Sequence, residues 1–473
     1  MKKKGIVIFV LLGFIIGVVA SLPGSYSVPD KPPQGYSNGS DIRYVGKTEI
    51  SEDSTLEEKS YSSTTGDENT ILINNATVSM NSCEVNKSGD SDGDSADFYG
   101  INAGVLAYNK ALVTIKDSKI ETSGSHANAV FAYDTGVINI SKSSIKTTKN
   151  NSGGIMVTGG GAINANELSV ETDGNSSASI RSDRGGGSIK VEGGKYTTNG
   201  VGSPTIYSTA DIEVKNATLV SNKSEGVVVE GKNRVFLDSC TLEDHNTTLN
   251  GNSETYKNIF LYQSMSGDAD TGLSSFEANN SMITTYNGDT FYVTNTTAKI
   301  SLQNNTLVNM DGDFLRIEAA KWGKSGSNGG DVTLDLKNQV IEGNIIVDDI
   351  STLDMYLKEG SSYTGIINQE NRAKELKLIL SKDSKLVLTG DSYVTSLENE
   401  DESNANIDFN GYKLYVGNQE IDVQETKEEE KKVEESTKED NKEIIKYVVI
   451  FISIVLFIVI IICMVIKKTK RTI

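Results

Sequence analysis

Histidine and tryptophan are nearly missing from this chain of 473 residues, which holds two of the first and one of the second. With only His126 and His245 available, histidine-based acid–base catalysis and a histidine metal site have little to build on. Aromatic residues make up 7% of the chain, while Gly, Ser, Thr and Asn are plentiful. That excludes a thick globular core and suits short strands joined by many turns. Cysteine is scarce as well: Cys83 and Cys240 stand far apart, and Cys463 lies in an apolar terminal run. No disulfide framework is expected from them. Positive charge is in deficit, with 45 basic against 64 acidic side chains and a formal net charge of -19. Nucleic acid and anionic lipid are therefore disfavoured as partners of the main body.

What the two ends contain is more specific. Lys2, Lys3 and Lys4 precede an apolar run from Gly5 to Ala20 that ends in Val18-Val19-Ala20. This is the layout of a secretory signal peptide over 1–20, with cleavage after Ala20. Residues 21–68 read as a proline-bearing disordered lead-in followed by an N-terminal cap. Near the other end, Tyr447 to Ile466 is apolar apart from Ser453 and Cys463. About 20 residues at 1.5 Å rise cross a hydrocarbon core of about 30 Å. Lys467, Lys468, Lys470 and Arg471 follow, and the segment at 421–446 is rich in Glu and Lys. The expectation is a charged stalk, a single-pass transmembrane helix over 447–466 and a cytoplasmic basic tail over 467–473, with the N-terminal side outside the cell membrane.

Between these ends one pattern recurs: apolar, any, apolar, four mostly polar residues, apolar. It reads Val113-Ile115-Ile120, Ile138-Ile140-Ile145, Ile163-Ala165-Val170, Ile189-Val191-Tyr196 and Ile212-Val214-Leu219. Copies follow at Val235, Phe276 and Ile300, looser ones at Leu334, Met355 and Leu378, and an early one at Ile71-Ile73-Val78. The step from Val235 to Phe276 is long and predicts an inserted loop around Asp244 to Lys257. Self-similarity at such a spacing marks a repeat architecture, and a period of two within each copy makes the unit a coil of strands. Stacked coils pair parallel strands about 4.8 Å apart and bury one continuous core. Parallel crossovers are right-handed almost without exception. The expected fold is all-β: a right-handed parallel β-helix over 69–395, with a C-terminal cap at 396–420.

A third strand aligns in each coil, as in Ala129-Val130-Phe131-Ala132 and Asn258-Ile259-Phe260-Leu261. Taking the third place as inward leaves an unusually apolar outward face that includes Arg181, Tyr207, Leu261, Tyr292 and Arg316. Such a face needs either its own chain or a partner to cover it. Those five residues, with Trp322 on the Gly-rich loop AAKWGKSGSNGGD, are the candidate ligand contacts. The run Asp90-Ser91-Asp92-Gly93-Asp94-Ser95-Ala96-Asp97 has part of a calcium-loop pattern but lacks its sixth-place Gly and twelfth-place Glu, so Asp90, Asp92, Asp94 and Asp97 are a weak calcium candidate. No cofactor is expected.

Glycoside hydrolysis needs two carboxylates roughly 5 to 10 Å apart, which here means one sheet position in adjacent coils. The outward columns of the first strand are Thr114, Asn139, Asn164, Lys190, Glu213, Phe236, Glu277, Ser301 and Lys116, Ser141, Asn166, Glu192, Lys215, Asp238, Asn279, Gln303. Neither pairs carboxylates in neighbouring coils, so no catalytic residue is assigned. The segments ADFYGINAGVLAYNKA, GSHANAVFAYDTG, NNSGGIMVTGGG, ASIRSDRGGGSIKVEGGKYTTNGVGSPTIYSTADI and LYQSMSGDADTG resemble adhesin-like β-helical surface proteins of Gram-positive gut bacteria. The resemblance covers most of residues 65–370. It implies a non-enzymatic cell-surface role toward a host or microbial glycan or protein. The alternative is a polysaccharide-acting enzyme of the pectin-lyase-like type.

Overall fold

The computed structural model describes residues 42–251, 253–417, 419–422, 445–448, 450–455 and 458. The expected signal peptide, the lead-in up to residue 41, residues 423–444 of the expected stalk at 421–446 and the basic tail lie outside the described residues, as does most of the expected span. No helix among the described residues is long and apolar enough to cross a membrane. Two compact units divide the chain, one of residues 1–400 and 406–421, the other of 401–405 and 422–473. In the second, Asn404 donates to the Asp422 carbonyl, and residues 445–448 and 450–455 are helical.

The first unit is a right-handed parallel β-helix of about 15 turns. First strands such as Leu112–Lys116 and second strands such as Lys119–Thr122 build a 22-stranded sheet, and third strands such as Val130–Tyr133 build a 12-stranded one. First-strand register follows the repeat: Val113, Ile138, Ile163, Ile189, Ile212, Val235, Phe276, Ile300, Leu334, Met355 and Leu378 form one inward ladder. The expected outward columns are also in register, Lys190 beside Glu213 and Glu192 beside Lys215.

The corner between first and second strands has a local cause. A residue in the left-handed region precedes it in coil after coil, at Asp117, Lys142, Asn216, Ser239 and Asn280. A small polar side chain then bridges coils: the Ser118 N–H donates to Ser143 Oγ and the Cys240 N–H to Ser281 Oγ. Cys83 and Cys240 occupy such corners, both buried and free.

Several expectations are corrected. The β-helix starts at Gly46 rather than residue 69, because Gly46–Ile50 pairs in parallel with Asn69–Asn74. In the early repeat, Val78 joins the first-strand ladder through Val113, while Ile71 and Ile73 belong to the third-strand sheet. Extra residues between Val235 and Phe276 form two segments, 245–256 before the third strand and 263–272 after it. At the C-terminal end, Gln419–Ile421 folds back antiparallel on Leu414–Val416 and covers that edge.

Third-strand register also differs. Val130, Ile155, Ile180, Ile206, Val227, Ile259, Phe291 and Leu315 form the inward ladder. Leu261 therefore faces the core, fully buried, and is not a surface residue. These strands carry apolar residues on both faces, so alternation does not distinguish in from out.

Candidate functional site

The other side of the third-strand sheet presents Leu72, Leu106, Phe131, Met156, Arg181, Tyr207, Val228, Phe260, Tyr292 and Arg316 in register. Almost all of this face is buried, with Arg181 at 0%, Tyr207 at 4% and Tyr292 at 5% exposure. The chain covers the face itself. A short helix at Asp94–Tyr99 places Phe98 over one end, where the Phe98 carbonyl accepts from Thr158 Oγ1 at 2.6 Å. Further along, 263–272 and 318–329 lie over Tyr207, Phe260 and Tyr292. Trp322 is half-buried, its ring 5.3 Å from Phe260 and 5.2 Å from Tyr262. The expected adhesive face is thus an internal interface. Burying its aromatic surface against these loops offsets the entropy of ordering them.

Beneath the cover lies a polar cluster. Glu230 accepts hydrogen bonds from Tyr207, from Ser264 and, at 3.1 Å, from Tyr262. Arg181 bonds Asp183 at 3.0 Å. Arg184 Nε reaches Asp268 at 2.6 Å, its Nη1 reaches Asp94 at 3.5 Å, and its guanidinium stacks 4.0 Å over Phe98. Burial, reinforced by Asp268, pushes the Asp183 carboxyl up to about 8 and that of Glu230 to about 7. Burial likewise holds the Tyr207 and Tyr262 phenols well above their ordinary range.

These two raised carboxyls lie at the third-strand sheet, outside the first-strand columns. Asp183 directly follows a third strand, in IRSD, and Glu230 ends one, in VVVE, and a charge in that place is the signal that could have found them. Glu230 stands in register with Tyr262.

The remaining candidates separate. Arg316 is clamped by Asp289 at 2.6 Å and Asp313 at 2.7 Å. The acidic run does not converge either: Asp90 pairs with Lys149 at 3.0 Å, Asp94 with Arg184, and buried Asp97 with His126 Nδ1 at 2.8 Å. Asp92 is exposed. Among the described residues no group of three or more His, Cys, Asp or Glu side chains could hold a metal ion.

The first-strand face is open instead. A trough of about 370 Å³ runs between its two outward columns, with Asn164, Lys190 and Glu213 on one rim and Asn166, Glu192 and Lys215 on the other. Asn164 Nδ2 donates to Asn139 Oδ1 at 2.9 Å, whereas the side chains of Thr114, Asn166 and Lys190 make no hydrogen bond among the described residues. No protein-family model, no curated protein and no solved structure matches the chain.

Proposed function

We propose that this chain is a non-enzymatic binding module, displayed at a cell surface by its C-terminal apolar segment, that engages a host or microbial glycan or protein. The observation that carries the reading is a contrast between the two sheets. Groups capable of chemistry are sealed under the chain's own loops and hydrogen-bonded to one another. Hydrogen-bonding groups without partners stand along the open first-strand trough. A repeated array of amides, hydroxyls and charges, with Thr114, Asn166 and Lys190 unpartnered among the described residues, suits contact with a repeating polar surface.

One observation favours an acid–base enzyme as the second reading. Glu230 and Asp183 lie on one sheet side with carboxyls raised toward neutrality, the state a general acid needs. For that reading the cover would have to open. A release assay on pectins and host glycans, with and without calcium, separates the two. Sustained turnover that is lost in Glu230→Gln would establish the enzyme, and glycan or cell binding without turnover supports the binding module.

A further inference from the structure

A second opening lies where third strands turn back into first strands. It is a cleft of about 850 Å³, walled by the loops 263–272 and 318–329 and floored by Thr297, Asp331 and Thr352. We infer that this cleft binds a single extended chain of neutral sugars. The inference rests on the reading of the protein as a surface-binding module and names the ligand class and its place.

Shape comes first. Leu273, Thr297, Asp331, Thr352 and Glu375 are register partners in five successive coils, and the cleft reaches from Gly272 to Lys374. At about 4.8 Å per coil this is a channel about 19 Å long, parallel to the coil axis. A linear ligand fits it better than a compact one.

Chemistry narrows the class. Ile350 is the one aliphatic side chain in the lining, and no aromatic ring contributes, so lipids and apolar peptides gain nothing by entering. The floor strand Thr296–Gln303 is already paired on both sides, which leaves no free edge for an added peptide strand. Asp331 and Asp349 outnumber Lys374, which opposes uronate-rich or sulfated chains. What remains is a lining of hydroxyls, carboxylates and amides that matches the edges of a polyhydroxylated ligand.

Several of these groups await a partner. Asp349 and Lys374 are exposed, and neither side chain makes an ion pair or hydrogen bond among the described residues. Gln263 is 4% exposed and lines the cleft. Its Nε2 donates to the carbonyls of Ser264 and Ala269, while its Oε1 accepts nothing. Without a stacking ring, recognition depends on such hydrogen bonds, and the affinity of one cleft for one chain is correspondingly weak.

The test titrates the full chain with gluco-, manno- and N-acetylhexosamine oligosaccharides, and with polygalacturonate and a sulfated glycan as charged controls. Thr297→Trp fills the floor from an exposed position. It is expected to weaken binding of the neutral chains by about tenfold or more, and Asp349→Ala with Lys374→Ala by about fivefold per lost hydrogen bond. Melting should be unchanged, and the alanine pair serves if the tryptophan variant fails to fold. Binding that survives all these substitutions overturns the inference, as does a preference for the charged controls or for a protein ligand. Binding lost only in Asn164→Ala or Lys190→Ala moves the ligand to the first-strand trough; the inference then fails while the binding module stands. Failure of the wild type to bind any glycan, protein or cell surface overturns both.

Discussion

Arg184 and Asp268, 84 positions apart in the chain, meet at 2.6 Å, and the same guanidinium reaches Asp94 at 3.5 Å. One side chain from a turn thus ties two separate cover segments, the Asp94–Tyr99 helix and the 263–272 loop. Arg184→Ala should cost about 1–2 kcal/mol, because it removes a partly buried pair and leaves Asp268 beside other carboxylates. Hydrogen exchange should quicken in 94–99 and 263–272 and stay slow in the first-strand sheet. Unchanged protection in both segments would show that the ion pairs do not hold the cover.

The buried acids make stability pH-dependent. Glu230, with a folded value of about 7 against an ordinary 4.5, is favoured in its neutral form. A raised acid contributes stability that is fully present below the unfolded value and is lost as pH rises through the folded one. Asp183 acts in the same direction up to about 8. Melting temperature should therefore fall as pH rises from about 4 to about 8, and Glu230→Gln should remove on the order of 3 kcal/mol of that dependence. Parallel wild-type and variant curves across this window would count against a buried neutral Glu230.

Trp322 packs against Phe260 and Tyr262, so its removal is a packing loss. Trp322→Ala should lower stability by about 2–3 kcal/mol, reduced from a fully buried case by its partial exposure. Glycan binding should change little. As the sole tryptophan, its emission also reports on the cover, and a red shift on raising the pH would accompany opening. Unchanged melting with lost binding would restore the sugar-stacking role.

Because Asp90, Asp94 and Asp97 each have a different partner, a calcium chelator should leave melting unaltered. A fall of several degrees on adding the chelator would identify calcium as part of the fold.

In the core, Phe276 and Phe291 meet edge to face at 5.6 Å, both fully buried. Phe276→Ala should cost about 3–5 kcal/mol. Since coils interact with nearest neighbours, exchange should rise most in the coils containing Val235, Phe276 and Ile300. A uniform rise along the whole stack would indicate a single cooperative unit instead.

How much of this was legible depends on which face a residue serves. The inward first-strand ladder from Val113 to Leu378 could be read directly, because one side of that sheet meets water and the alternation of apolar and polar residues sets its register. The same alternation sets Lys190 beside Glu213. Third strands escaped it. Val130-Phe131-Ala132 and Ile259-Phe260-Leu261 are apolar in three successive places because both faces are buried, and the inward residue cannot be chosen without the partner strand.

Composition and repeat spacing by themselves determined a parallel coil, its first-strand register and the existence of an apolar second face, since these depend on contacts between equivalent places in adjacent coils. Tertiary structure decided what happens to that face. Whether Tyr207 and Tyr292 meet a partner or their own chain depends on where Phe98, Asp268 and Trp322 arrive after long loops, and no local period encodes that placement. The raised carboxyls of Asp183 and Glu230 follow from the same closure, because a charge is costly only once water has been excluded from around it.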